Sequence, residues 1–266
     1  MVQQLCLVAT IPHNKYIQTV STLKALTGIE TPQDIATYTL LTKPYQEFKP
    51  KLEPGKVNQI EQYFMKCVTT WDDQTSAKFD SAKPVLKDDK EGVWADTLFS
   101  DSSTTSIKRN WTLQISDIPT AGKNQTCSAQ TVYESTLVHH HSRTENKTSE
   151  GTQQESFLSL LHDLGYEVKN QYWIRGVRYF HGDIFIEIFK VFIRDDDFES
   201  QNNQIKLKLL DQSNTFQVKV YINVPRATDV ELINQASKNL LKFQELVKNL
   251  INLEIPDRMY MDSRVK

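Results

Sequence analysis

Residues 166–194 read YEVKNQYWIRGVRYFHGDIFIEIFKVFIR. The stretch is dense in aromatic and β-branched residues, as strands are, and Arg175-Gly176 and His181-Gly182 read as turn signals between neighbouring strands. Within 184–192, Ile184, Ile186 and Ile188 alternate with Phe185, Phe189 and Val191, which predicts a central strand covered on both faces. With a further turn signal at 211–214, residues 166–224 form a meander of short antiparallel connections.

Outward from this meander, strand character recurs at about 3–11, 37–42, 60–70, 110–116 and 131–138. The meander itself divides into strands at about 166–174, 177–181, 183–193, 204–210 and 215–224. Three helices interrupt them. The first is expected after an Asn14 cap, with Ile17, Val20 and Leu23 on its apolar side, and ends at Gly28. The second opens on a capping box at Thr152 and Glu155, presents Phe157, Leu160, Leu161 and Leu164, and stops at Gly165. The third opens on a box at Thr228 and Glu231 and runs over 229–252 with Ile233, Ala236, Leu240, Phe243, Val247 and Leu250 on one side, until Pro256 stops it. The fold class is therefore α+β and predominantly antiparallel β: a many-stranded barrel flanked by about three helices. Residues 1–266 form one domain, with insertions at about 71–108 and 139–151 that are too polar to bury surface and are expected to be mobile.

Composition excludes more than it suggests. The 266 residues balance 31 Lys+Arg against 33 Asp+Glu, so no basic excess favours nucleic acid or an anionic membrane. The start MVQQLCLVATIP does not read as a signal peptide, and no apolar run reaches the roughly 18–20 residues needed to span a bilayer. Cys6, Cys67 and Cys127 are odd in number and widely spaced, which fits buried free thiols in a reducing compartment.

The chain has no glycine-rich phosphate loop, HExxH or CxxC, so neither a cofactor nor a metal is expected. His139, His140 and His141 are adjacent on a loop and do not converge on one ion. Asp195, Asp196 and Asp197 read as a charged turn. Pairing Cys67 or Cys127 with His162 or His181 would need a proximity that the sequence does not supply, and His162 suits the C-terminal dipole of the second helix better. Trp111, Tyr172, Trp173 and Tyr179 read as core aromatics and not as a platform for stacked bases.

Four stretches together carry a resemblance: MVQQL at 1–5, WTLQISDIPTAGKNQTCSAQT at 111–131, YINVPRATDVELIN at 221–234 and IPDRMYMDSRV at 255–265. With LGY at 164–166 they span the chain in order, and they resemble the fungal subunit-eighteen family of Mediator, the coactivator of RNA polymerase II. The resemblance implies a helix-flanked antiparallel barrel without enzymatic activity, located in the nucleus as part of the Mediator head module. It implies pairing with subunit 20, a barrel of related fold, and docking of a C-terminal helix from subunit 8; RNA polymerase II is a further candidate partner. Relatives often carry a longer insertion before WTLQISDIP, and some a longer C-terminal tail, than this chain has.

Candidate partner-facing residues follow from these motifs. They are Asp117 and Pro119 in ISDIP, Arg226 and Asp229 where strand passes to helix, Asp257 and Arg258 after the helix, and Tyr172, Phe185 and Phe189 as an apolar groove for the helix of subunit 8. Each has a structural alternative: Asp229 as dipole partner, IPDR as a stop signal, the rings as lumen filling. Barrels of this kind also resemble triphosphate tunnel hydrolases, which need a Glu-x-Glu-x-Lys strand to hold a divalent metal. The first strand has no carboxylate, and the nearest approach, Asp183…Glu187…Lys190, has Phe185 between its acids.

Overall fold

A computed structural model describes residues 1–46, 61–71, 93–96, 98, 108–120, 122, 125–140, 157–199 and 204–265. Among these residues, ten strands form a single antiparallel sheet: β1 (Val2–Pro12), β2 (Gln33–Pro44), β3 (Met65–Thr70), β4 (Val93–Asp96), β5 (Lys108–Ser116), β6 (Ser128–His140), β7 (Tyr166–His181), β8 (Ile184–Arg194), β9 (Gln204–Leu209) and β10 (Thr215–Val224). Pairing runs β10-β1-β6-β5-β3-β2-β7-β8, and β8 pairs back onto β10, which closes eight strands into a barrel. Beyond Phe189, β8 exchanges β10 for β9, and β9 carries β4 as an edge ribbon.

The two apolar cores lie outside the barrel wall, and the inner face mixes polar and charged side chains with apolar ones. Along β10, Phe216, Val218, Val220, Ile222 and Val224 are buried outward, while Gln217, Lys219, Tyr221 and Asn223 alternate with them toward the lumen. Helices α1 (Tyr16–Thr27) and α3 (Val230–Val247) cover the outer faces of β1, β7, β8 and β10, where Leu5, Leu7, Ile186, Val218, Val20, Leu240 and Phe243 share one core. Helix α2 (Phe157–Asp163) and the β9–β4 ribbon cover a second core over β2, β3 and β5, in which Trp111 stacks on Phe157 with ring centroids 3.9 Å apart.

Several expectations change. Arg175-Gly176 is no turn: β7 runs unbroken through it, because Gly176 lets β8 approach where a side chain would collide. The strand at 184–192 is central, but helices cover only its outer face; Phe185, Glu187, Phe189 and Val191 are half-buried on the lumen side. A 3-10 turn, His13–Lys15, displaces the expected Asn14 cap, so α1 buries Tyr16 against Phe216 and leaves Ile17 47% exposed. Asp229, and not Thr228, caps α3, accepting from the Leu232 amide at 3.0 Å. That helix ends at Val247, well short of Pro256. Within the expected 71–108 insertion, Trp71 is buried, Val93–Asp96 is strand β4, Leu98 packs against the second core and Lys108 opens β5, and the 139–151 insertion begins inside β6; the rest of both, like the Thr152 box, lies outside the described residues.

After α3, the chain straps one mouth of the barrel. Glu254 exchanges two backbone hydrogen bonds of 2.8 Å with Val8, filling the edge of β1 that β6 leaves unpaired. It then crosses to β3, where Phe64 donates to the Ser263 carbonyl at 2.7 Å and Val265 donates to that of Gln62 at 2.8 Å.

Candidate partner-docking surface

The strapped mouth gathers four of the candidate residues. The Arg258 guanidinium donates from Nε to the Pro119 carbonyl at 2.8 Å, tying the C-terminal strap to the segment after β5. Asp117 accepts from the Ile118 amide at 2.7 Å and the Tyr63 hydroxyl at 3.3 Å, and Asp257 accepts from the Met259 amide at 2.8 Å. Inside the mouth, Gln130 donates to the carbonyls of Asp117 at 2.6 Å and Met261 at 3.3 Å. The turn these contacts hold projects Met259, 65% exposed, and Tyr260, 91% exposed, into solvent.

The other mouth carries a cavity of about 410 Å³ between β10 and α3, lined by Phe185, Ile222, Val224, Pro225, Leu232 and Ala236 among others. Phe185 stacks on Tyr221 with centroids 4.9 Å apart and meets Phe180 edge-on at 5.4 Å. Exposed Phe180, Val230 and Leu232 add apolar surface nearby. Arg226 and Asp229 lie in the link from β10 to α3, where Asp229 is committed to its cap and the Arg226 carbonyl accepts from the Asp229 amide at 3.2 Å. Tyr172 and Phe189 stand apart from both mouths, half-buried on the inner wall. The nine candidates thus fall into a strapped-mouth group, a cavity group and a wall pair.

Sequence reading missed the charged and polar groups inside the lumen. Glu187 accepts two bonds from Arg178, at 2.8 and 2.6 Å, and one from the Tyr221 hydroxyl at 3.0 Å. Glu134 accepts from Gln114 at 2.7 Å. The signal was the strict alternation of Gln217, Lys219, Tyr221 and Asn223 with outward aliphatics in β10.

Among the described residues this geometry makes neither a nucleophile nor a metal cage. Cys6, Cys67 and Cys127 are free and buried, and burial pushes the Cys67 thiol up to about 12, leaving it a poor nucleophile. His162 is exposed and lies 3.9 Å from Asp163, and Asp195 is enclosed by Lys206 and Lys208 in its turn. Of the nearest metal-binding pattern, Glu187 faces the lumen but Lys190 points to the outer face, where it meets His13 at 2.8 Å, Asn214 and the ring of Phe216. Among the described residues no three His, Cys, Asp or Glu side chains converge.

Residues 3–264 match the family described as Med18 protein. The chain belongs to that family. The Mediator of RNA polymerase II transcription subunit 18 of Debaryomyces hansenii is 49% identical over an alignment covering 100% of this chain and 99% of the relative. The protein of the same name from Scheffersomyces stipitis is 46% identical with the same coverage, 100% and 99%. A chain in the structure of the Schizosaccharomyces pombe Mediator head module superposes with a TM-score of 0.61 over 96% of this chain and 98% of that one. At 17% identity, that likeness is one of fold.

Proposed function

We propose that this chain is a non-enzymatic subunit of the Mediator head module in the nucleus, working by binding other subunits in support of RNA polymerase II transcription. The observation that carries this reading is the 49% identity, over essentially the full length of both chains, to a protein named as Mediator subunit 18. The division of the candidate residues between two mouths supports two separate contacts.

In this reading the cavity beside Phe185 takes the C-terminal helix of subunit 8. A groove that accepts an amphipathic helix needs apolar floor and polar borders, and here Ile222, Val224 and Leu232 supply the floor while Asn223, Gln235 and Asn239 supply the borders. The strapped mouth, with Asp117, Pro119, Asp257 and Arg258 around the protruding Met259 and Tyr260, takes subunit 20. A permanent pair of this kind buries about 2,000 Å² or more in total.

Reconstitution with purified subunit 20 and a peptide of the subunit 8 C-terminus, followed by light scattering, tests the proposal. A 1:1:1 complex is expected, with Leu232→Asp releasing the peptide alone and Tyr260→Asp weakening subunit 20 alone. A folded chain that stays monomeric beside both partners overturns the reading.

A further inference from the structure

Resting on the assignment of the cavity to subunit 8, we propose that the free edge of β6 is a strand-addition site for an extended segment of subunit 8 that flanks its helix. Strand β6 is longer than the neighbour that covers it. Its pairing with β1 ends at Val2 and Val132, whereas its pairing with β5 continues to Lys108 and His140. From Tyr133 to His140, β6 therefore has a partner strand on one side only among the described residues, over about 27 Å at about 3.4 Å per residue.

The ladder identifies which backbone groups are free. The Thr131 carbonyl accepts from the Asp117 amide at 2.8 Å and the Ala129 carbonyl from the Thr120 amide at 2.8 Å, so the odd-numbered residues of β6 face the β5 side. The even-numbered residues face the β1 side, and beyond Val132 these are Glu134, Thr136 and Val138, whose N–H and C=O groups are left open. Glu134, Ser135 and Thr136 are exposed, as is Tyr133, so water reaches this edge.

Open edges are ordinarily blunted by lysine, proline or a bulge. Residues 133–138 read YESTLV, with neither lysine nor proline, and their register with β5 runs without a shift. On the outer face Tyr133 and the half-buried Leu113, Ile115 and Leu137 form an apolar strip on which alternate side chains of an added strand can rest. Extended polypeptide supplies donors and acceptors at the repeat of Glu134, Thr136 and Val138, about 7 Å. The one charged side chain of the stretch, Glu134, favours lysine or arginine opposite it.

Position selects the source of that strand. Val224, Gln3 and Thr131 register across β10, β1 and β6, and Val224 lines the cavity. Two strand spacings, about 10 Å, separate the cavity rim from the row where the free edge begins, a gap that about three extended residues cross. A chain whose helix occupies the cavity thus has the edge within reach of its flanking residues.

Residue-resolved amide exchange by NMR, on the full chain alone and with a peptide spanning the subunit 8 C-terminal helix and its flanking residues, tests the site. In the free chain the amides of Glu134 and Thr136 are expected to exchange rapidly, while those of Ser135 and Leu137, which face β5, are protected. On binding, exchange at Glu134 and Thr136 should slow tenfold or more. Thr136→Pro removes an N–H that no ladder bond uses, so it should keep the parent's unfolding midpoint and bind the peptide at least tenfold more weakly. Binding that Leu232→Asp abolishes, with Glu134 and Thr136 still exchanging as in the free chain, overturns strand addition and leaves the cavity reading intact. No peptide binding at all removes both. Protection of the two amides in the free chain overturns the proposal as well, assigning the edge to a second copy if it rises with concentration and to a segment of this chain if it does not. If Thr136→Pro fails to fold, the exchange measurement on the parent chain decides alone.

Discussion

Gly176 of β7 lies against Phe189 of β8 so closely that a Cβ on the glycine would stand 2.5 Å from the Phe189 Cβ and 2.2 Å from the Ile188 carbonyl oxygen. Both atoms belong to the barrel wall and cannot swing away. Gly176→Ala is therefore expected to destabilise the chain by about 1–3 kcal/mol or more through forced separation of two paired strands. Chemical denaturation measures it; a change within about 0.5 kcal/mol, the range of ordinary surface substitutions, would contradict the close approach.

Alkaline pH should loosen the fold. Burial raises the pKa of Tyr16, Tyr38, Tyr172, Tyr179 and Tyr221 above the ordinary value of 10.0, with Tyr179 reaching about 12. It also raises Cys6, Cys67 and Cys127 above 9.0. An acid held neutral in the folded state contributes stability that is complete below its unfolded pKa and is lost as pH rises through the folded value. Lys66 and Lys219, lowered from 10.5, act the other way, since folding becomes easier as they lose their protons. With Tyr63, raised by burial in the same way, six tyrosines and three cysteines outnumber two lysines. Each group for which the unfolded chain has lost its proton contributes a slope of up to about 1.4 kcal/mol per pH unit. Urea unfolding between pH 7 and 11 should show stability falling above about pH 9, and a flat profile would refute this balance.

Arg258 separates a structural role from a binding role. Its bond to the Pro119 carbonyl lies near the surface, so Arg258→Ala should cost about 1 kcal/mol of stability, a few degrees of Tm in a chain of this size. Its affinity for subunit 20 is expected to fall by more than that. Equal losses, measured by thermal unfolding and by calorimetric binding, would make the residue structural alone.

The capping glycines show what sequence made legible. Gly28 and Gly165 both adopt positive φ, +71° and +81°, as a helix stop requires, and their position after an apolar periodicity was readable directly. Arg175-Gly176 was misread because a glycine needed for close strand approach looks, in sequence, like one needed for a turn. The short strand β4 was hidden because its surroundings are polar and its pairing with β9 joins residues more than a hundred positions apart. The candidate site was legible only in part. Motif position marked Asp117, Pro119, Asp257 and Arg258, but that they meet at one mouth depends on the path of the strap, which no local pattern encodes. Phe185 and Phe189 looked like one groove because they share a strand face, yet only Phe185 reaches the cavity at the end of that face.

Purifying this chain with an affinity tag from nuclei of its own species, and measuring the stoichiometry of what remains bound after a salt wash, tests whether it acts by assembly. One copy each of subunits 8 and 20 per copy of this chain is expected, retained together with the rest of the Mediator head. Recovery of the folded chain alone, or outside the nucleus with neither partner, would contradict it.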